Sequence, residues 1–319
     1  MYKNGKLRPQ FLRYYMFKTR YFFLLIILSV LVYSCGDDTF GTNPFADVDY
    51  EALAISDNDS IVKFLKNHYY DSSVDSIKVL VAGETAMFDD TKLKTMDVTE
   101  NDINYKLYVY VEREGDYGND PDRGFPTKVD SVFTKYAGKT FSGTTFSDTN
   151  FDQNQSGLWF SLTSVVRGFS YGFTNFKGGE LKKDANGCPF NGPITYLNGG
   201  KGVLFIPSGL AYPSSNPQNW SNNLVDTNIL FYIDLLTLVP NTDHDNDGVK
   251  TISEDVDNDG NVNNDYTDSY GIPNYFDSDD DGDGVLTRNE DRNGDGDPSN
   301  DFNDPDNPTL PDYLNPNIK

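Results

Sequence analysis

The sequence predicts an α+β domain followed by an irregular segment built from repeats, and three observations predict it. Apolar residues fall once at helical spacing before residue 100, then in five short runs of strand character up to about 240. Beyond 241 they thin out and Asp takes over. Five strands with one short helix between the third and the fourth point to α+β, and the roughly 140 residues from 100 to 240 are enough for one core.

The chain opens with Lys3, Lys6, Arg8, Arg13, Lys18 and Arg20 and no acid among residues 1–20; an apolar run from Tyr21 to Val32 then leads to Ser34 and Cys35. A membrane-spanning helix needs about 20 apolar residues. This run is shorter and ends in a small residue followed by Gly36-Asp37-Asp38, so residues 1–34 are expected to be a signal peptide ahead of a lipidation cysteine. Val32, Ser34 and Cys35 resemble a bacterial lipobox, with Tyr33 bulkier than the usual residue there. The Asp pair after the cysteine resembles the export signal of surface lipoproteins in Bacteroidota. The resemblance implies acyl chains on Cys35 that hold the protein to a membrane. The expected location is the bacterial cell envelope, at the outer membrane and either periplasmic or surface-exposed, with 35–50 as lipidated cysteine and tether.

Residues 51–99 are expected to form a helical extension. Ser56-Asp-Asn-Asp starts like a cap, and Ile61, Phe64, Leu65 and His68 follow at helical spacing in a helix running to about Tyr69. Strands are then expected over Tyr105–Val111, Asp130–Tyr136, Gly157–Leu162, Gly202–Ile206 and Asn228–Leu236.

Periodicity does not say what this domain, 100–240, does. Val132-Phe-Thr-Lys-Tyr136-Ala-Gly138, Gly143-Thr-Thr-Phe146-Ser-Asp148, Phe160-Ser-Leu162, Val165-Val-Arg-Gly-Phe169, Ile206-Pro-Ser-Gly-Leu-Ala-Tyr212 and Ile229-Leu-Phe231-Tyr-Ile-Asp-Leu-Leu236 follow one another in the order of the FK506-binding-protein family of peptidyl-prolyl isomerases, which this stretch resembles. The resemblance implies a twisted antiparallel sheet wrapped around a short helix. It also implies an apolar pocket lined by Tyr136, Phe146, Leu158, Val165, Val166, Phe169, Tyr212 and Phe231. Phe169 would be the floor under a proline ring, where the family usually has Trp. The Val166 N–H and the Tyr212 hydroxyl would bind carbonyls, and Phe146 and Phe231 would be walls. Three departures stand out. Ser147 occupies the place of the acid that follows the wall phenylalanine, with Asp148 one place later; Leu158 stands where an aromatic is usual; and Pro213 replaces a glycine. An insertion over 180–200 is a candidate lid or partner loop.

In the last segment, 241–319, Asp243-His-Asp-Asn-Asp-Gly-Val-Lys-Thr-Ile-Ser-Glu254 returns 36 residues later as Asp279-Asp-Asp-Gly-Asp-Gly-Val-Leu-Thr-Arg-Asn-Glu290. Both fit D-x-[DN]-x-[DN]-G-x5-E, in which oxygens at positions one, three, five and twelve and the carbonyl of position seven surround a hard cation. The expected calcium ligands are therefore Asp243, Asp245, Asp247, Val249 and Glu254, and Asp279, Asp281, Asp283, Val285 and Glu290. A second cluster follows each loop, at Asp255, Asp257 and Asp259 and at Asp291, Asn293 and Asp295. These have Tyr266 and Phe302 at the twelfth position, so shared ligands are expected. The units close on Ile272-Pro-Asn-Tyr-Phe-Asp277 and Leu310-Pro-Asp-Tyr-Leu-Asn315, as structural repeats do. The pattern resembles thrombospondin type 3-like calcium repeats of secreted bacterial proteins.

Charge sets the role of the ion. The chain carries −23, and residues 243–319 hold 22 acidic against 4 basic side chains, a net −18. Carboxylates at that density repel and need counter-ions to order. Nucleic acid is excluded as a partner by a pI of about 4.2, because phosphate recognition needs a basic face. With Cys35 lipidated, Cys188 is the remaining thiol, and His68 and His244 are the only histidines, which argues against disulfides, Cys-His catalysis and zinc. The sequence thus supports a lipid-anchored prolyl isomerase acting on X-Pro segments of client proteins, with structural calcium and no catalytic cofactor. The other reading is a non-catalytic calcium-binding lipoprotein whose degenerate pocket binds a partner or polysaccharide.

Overall fold

The computed structural model describes residues 43–118, 124–188 and 190–319. The signal segment, Cys35 and the first part of the tether lie outside the described residues. The chain divides into two units at Asp47/Val48; of the first, residues 43–47 form a turn in which the Ala46 N–H donates to Asn43 O at 3.3 Å. All helices and strands described below belong to the second unit. No helix among the described residues is long and apolar enough to cross a membrane.

Helix α1 spans Tyr50–Lys66, starting six residues before the expected Ser56. Its cap is Asp49, whose carboxylate accepts the Ala52 N–H at 3.0 Å. The acid and amide that looked like a cap are used elsewhere: Asp57 accepts the Ser208 hydroxyl at 2.6 Å, and Asn58 accepts the Tyr108 hydroxyl at 2.9 Å. The helix stops at Lys66, and His68 begins a strand, with its Nδ1 donating to Phe64 O at 2.8 Å.

Strands β1 (His68–Asp71) and β2 (Ser76–Val79) form a small hairpin. The main sheet is antiparallel throughout and has seven strands: β3 (Leu93–Glu100), β4 (Ile103–Arg113), β5 (Ser131–Ser142), β6 (Thr145–Phe146), β7 (Asp152–Ser161), β10 (Gly200–Ile206) and β11 (Ile229–Val239). Their order is β3-β4-β10-β11-β5-β6, and β7 also pairs with β5. Strand β3 lies inside the stretch expected to be a helical extension. It is an edge strand with only Val98 buried, so exposed Lys94, Thr95, Asp97 and Thr99 dilute its alternation.

Both faces of the sheet are covered, which is why residues 107–111 of β4 and 203–206 of β10 are apolar or aromatic at every position. On one face Leu107, Val109, Leu204, Ile206, Phe231 and Ile233 pack with helix α2 (Arg167–Phe173). On the other, Tyr108, Tyr110, Val203, Phe205 and Leu230 pack with Ile61, Phe64 and Leu65 of α1 and with Met87. Helix α2 lies close to the strands because Gly168 and Gly172 face Ile206 and Leu204, where a Cβ would collide. The architecture is mixed α/β around a large antiparallel sheet, with a helix on each face rather than one.

The 180–200 insertion forms the two-stranded hairpin β8 (Glu180–Leu181) and β9 (Tyr196–Leu197) and packs Tyr196 beside Phe133, at 6.3 Å between rings. The Asp-rich segment is made of short 3-10 turns and loops around two small clusters. Val129, Val262 and Tyr275 form one, and Val249, Tyr313 and Leu314 form the other.

Candidate functional site

The pocket stands over the β5 and β11 strands at the start of α2. Its volume is about 240 Å3, and Tyr136, Val165, Val166, Phe169, Tyr212 and Phe231 of the expected set line it. Each arrives from a different element: Tyr136 from β5, Phe231 from β11, Phe169 from the first turn of α2, and Tyr212 from the loop after β10. The rings meet edge to face, Phe169 with Phe231 at 5.1 Å and 78°, and Tyr136 with Phe231 at 6.0 Å and 64°, the arrangement aromatic quadrupoles favour. Phe169 is buried beneath the others, and the adjacent Ser170 hydroxyl fixes the turn by donating to Leu162 O at 2.6 Å. Among the described residues no acceptor takes the Val166 N–H, which leaves a donor at the pocket edge.

Phe146 and Leu158 are not part of this pocket. The β5–β6 hairpin carries Phe146 to the α1 face, where its ring lies 5.8 Å from those of Phe64 and His68. Leu158 pairs with Thr134 and is 43% exposed; two residues on, Phe160 supplies the aromatic edge, 5.9 Å from Phe169. Phe151 packs its ring against Phe231 at 5.5 Å, and Asp152, which lines the pocket, follows it directly. The Tyr136 hydroxyl donates to Asp152 at 3.0 Å, and burial, reinforced by that bond, pushes Tyr136 up to about 12. An acid thus lines the pocket, five residues after Ser147. The signal was in the sequence as the pair Phe151-Asp152, masked by the similar Phe146-Ser-Asp148. Pro213 and the insertion line no part of the pocket.

The acidic segment repeats one turn four times. The carboxylate at position one accepts the N–H of the glycine at position six: Asp243 from Gly248 at 3.1 Å, Asp255 from Gly260 at 3.0 Å, Asp279 from Gly284 at 3.1 Å and Asp291 from Gly296 at 2.7 Å. Asp247 and Asp283 accept the N–H of Val249 and Val285, each at 2.8 Å. Carboxylate oxygens within 4.8 Å of one another gather at Asp243, Asp245 and Asp247, at Asp255, Asp257 and Asp259, and at Asp279, Asp281 and Asp283.

A fourth gathering joins Asp247 and Glu254 to Asp280, all buried, so an acid of the second loop stands beside the first. Both carboxylate oxygens of Glu254 and of Glu290 are buried without a hydrogen-bond partner. Unpartnered buried carboxylates are costly. Burial, added to by Asp280, pushes Glu254 up to about 10, and burial pushes Glu290 up to about 8. An all-oxygen donor set of this kind fits a hard divalent cation such as calcium. Two acids stand where the second clusters lack a twelfth-position ligand. Asp265 accepts the Val256 N–H at 3.0 Å and Asp301 the Asn293 N–H at 3.1 Å, each with a second oxygen buried and unpartnered. Asp265 and Asp301 are 36 residues apart, so the repeat itself pointed to them.

The acidic segment is docked on the pocket's own support. Asn263 donates to Thr163 O at 3.0 Å, Arg167 to Gly260 O at 2.7 Å, and His244 bridges the Ser161 and Thr251 hydroxyls at 2.8 Å each. Cys188 is exposed and free.

Fold and site together define a large antiparallel sheet carrying an aromatic pocket, with an acidic repeat segment packed against it. No family model matches the chain, and no curated protein matches it. Among solved structures it is similar to FkpA from Escherichia coli, at 21% identity and a TM-score of 0.31 over 48% of this chain and 54% of that one, so it spans about half of FkpA's length. It is also similar to a peptidyl-prolyl cis-trans isomerase from Pseudomonas syringae pv. tomato, at 18% and 0.33 over 60% and 97%. A multi-domain immunophilin from Arabidopsis thaliana is similar at 15% and 0.29 over 47% of each chain. At such scores the functional reading rests on the pocket alone.

Proposed function

We propose that the protein is a peptidyl-prolyl isomerase of the FK506-binding type, anchored through Cys35 in the bacterial envelope, with a calcium-ordered repeat module. The observation that carries this is the open aromatic pocket with its Tyr136–Asp152 hydrogen bond. An X-Pro bond interconverts over tens of seconds because rotation breaks amide resonance, a barrier of about 18–20 kcal/mol. A dry aromatic pocket takes the proline ring, and the twisted amide, less polar than the planar one, is favoured away from water. Its carbonyl would be met by the Val166 N–H and its neighbour by Tyr212. The rate gain is then differential binding of the twisted state. Calcium, when bound, would neutralise the clustered carboxylates and hold the loops in place. Asp243, Asp245, Asp247 and Glu254 with Asp280 would hold one ion, and Asp279, Asp281, Asp283 and Glu290 another.

The test is acceleration of a short X-Pro peptide by the full chain in detergent with millimolar calcium. Tyr212→Phe and Phe169→Ala should each lower the catalysed rate, by about tenfold for a contact worth about 1.4 kcal/mol in the transition state. No acceleration by the folded wild type would leave a proline-binding protein without catalysis.

A further inference from the structure

Beside the pocket runs a second, larger cleft of about 840 Å3, and the two share Ser164, Val165, Val166 and Tyr212. Their linings differ in kind. The pocket is aromatic, whereas the cleft presents carboxamides and hydroxyls drawn from three separate places: Asn101 from the β3–β4 turn, Ser215 and Gln218 from the loop after Tyr212, and Asn263 from the first acidic repeat. The two charged groups on its wall cancel, because Arg167 donates to Glu100 at 2.9 Å. The loop that forms one side is braced internally. Asn219 donates to Pro213 O at 2.9 Å and the Trp220 indole to Ser214 O at 2.8 Å. Asn263 is fixed as well, taking the Tyr275 hydroxyl at 2.7 Å while donating to Thr163.

We propose that this cleft binds the polar, uncharged polypeptide segment adjoining the client proline, with the first repeat forming its far wall. The inference rests on the isomerase reading of the pocket and adds the substrate class. A chain whose proline sits in the pocket must leave it across Ser164 and Val165, and an extended chain carries a donor and an acceptor on almost every residue. The Asn101 and Gln218 carboxamides answer both, since each offers two donors and an acceptor, while Asn263, already bonded to Thr163, Asn261 and Tyr275, shapes the wall. The volume lies within the roughly 300–1,000 Å3 of ligand sites. Clients rich in Ser, Thr, Asn or Gln beside the proline match the lining, and the repeat closes the cleft on its far side.

The experiment compares kcat/KM of the full chain, in millimolar calcium, on a short blocked X-Pro peptide and on a longer peptide that flanks the same X-Pro with Ser, Asn and Gln. Direct binding of the labelled long peptide is measured alongside. The long peptide should be favoured about tenfold or more. Gln218→Trp and Ser215→Trp, at exposed positions that fill the cleft, should bring that ratio towards one. A wild-type ratio of one, or a ratio that both tryptophan variants leave intact, overturns the proposal. If neither peptide is isomerised, the enzyme reading fails by itself. Long-peptide binding weakened at least tenfold by both variants then supports the cleft, and absence of binding overturns it.

Discussion

Gly138 shows how tightly single residues set the pocket. It pairs with Phe231 on one side and Asp152 on the other, and a Cβ there would sit 2.6 Å from the rings of both Phe151 and Phe231. Gly138→Ala should therefore push the two rings apart and displace Phe231 from the pocket, costing about 1–3 kcal/mol as overpacking does and reducing isomerisation more than it reduces folded yield. Thermal unfolding and peptide isomerisation of the same sample check this. The case also shows what was legible. Tyr136, Phe169, Tyr212 and Phe231 could be placed because each sits in a run whose order along the chain is distinctive. Phe146 was misplaced because two Phe-containing stretches five residues apart carry similar acids. Only the hairpin geometry decides which ring turns inward. Asp280 was passed over for a different reason, since its partners Asp247 and Glu254 are distant in sequence and a local motif holds no trace of them.

At the scale of elements, α1 and the acidic loops give separate predictions. Phe64 is fully buried against Phe141 and Phe205, so α1 belongs to the core of the sheet's second face. Phe64→Ala should cost about 3–5 kcal/mol in denaturant unfolding, where a loosely attached extension would lose almost nothing. The sequence marked the helix but not its partner, because an amphipathic stripe says that a face is covered without saying by what. For the loops, chelation should increase proteolysis of residues 243–319, and calcium should reverse it. Asp280→Asn should weaken calcium binding at the first loop at least tenfold, as should Glu254→Gln, although residue 280 is written in the second loop. Calorimetric titration of each variant separates this outcome from an effect confined to loop two.

For the molecule as a whole, the acidic repeats are coupled to the pocket through the turn that supports it. Asn263 and His244 hold the Thr163 and Ser161 end of that turn, and Arg167 opens α2 while gripping Gly260 O. Removing calcium should then speed amide exchange across 161–167 and slow isomerisation several-fold, with β4, β10 and β11 keeping their protection. Hydrogen exchange with and without chelator reads both effects at once. The sequence divided the chain into an isomerase domain and a repeat tail, since composition changes sharply near 241. The contacts across that change involve asparagine, histidine and backbone groups, which leave no periodic mark.

The neighbourhood of Asp247, Glu254 and Asp280 bears on the order in which the protein can be made. Synthesis delivers the N-terminal side first, yet the first loop lacks one of its buried acids until residue 280 exists, and Val249 lacks its apolar cover until Tyr313 and Leu314 arrive. A nascent chain paused between the repeats would hold Asp247 and Glu254 without Asp280 beside them. On the calcium reading proposed above, the first site would therefore be completed only after the second loop has been made.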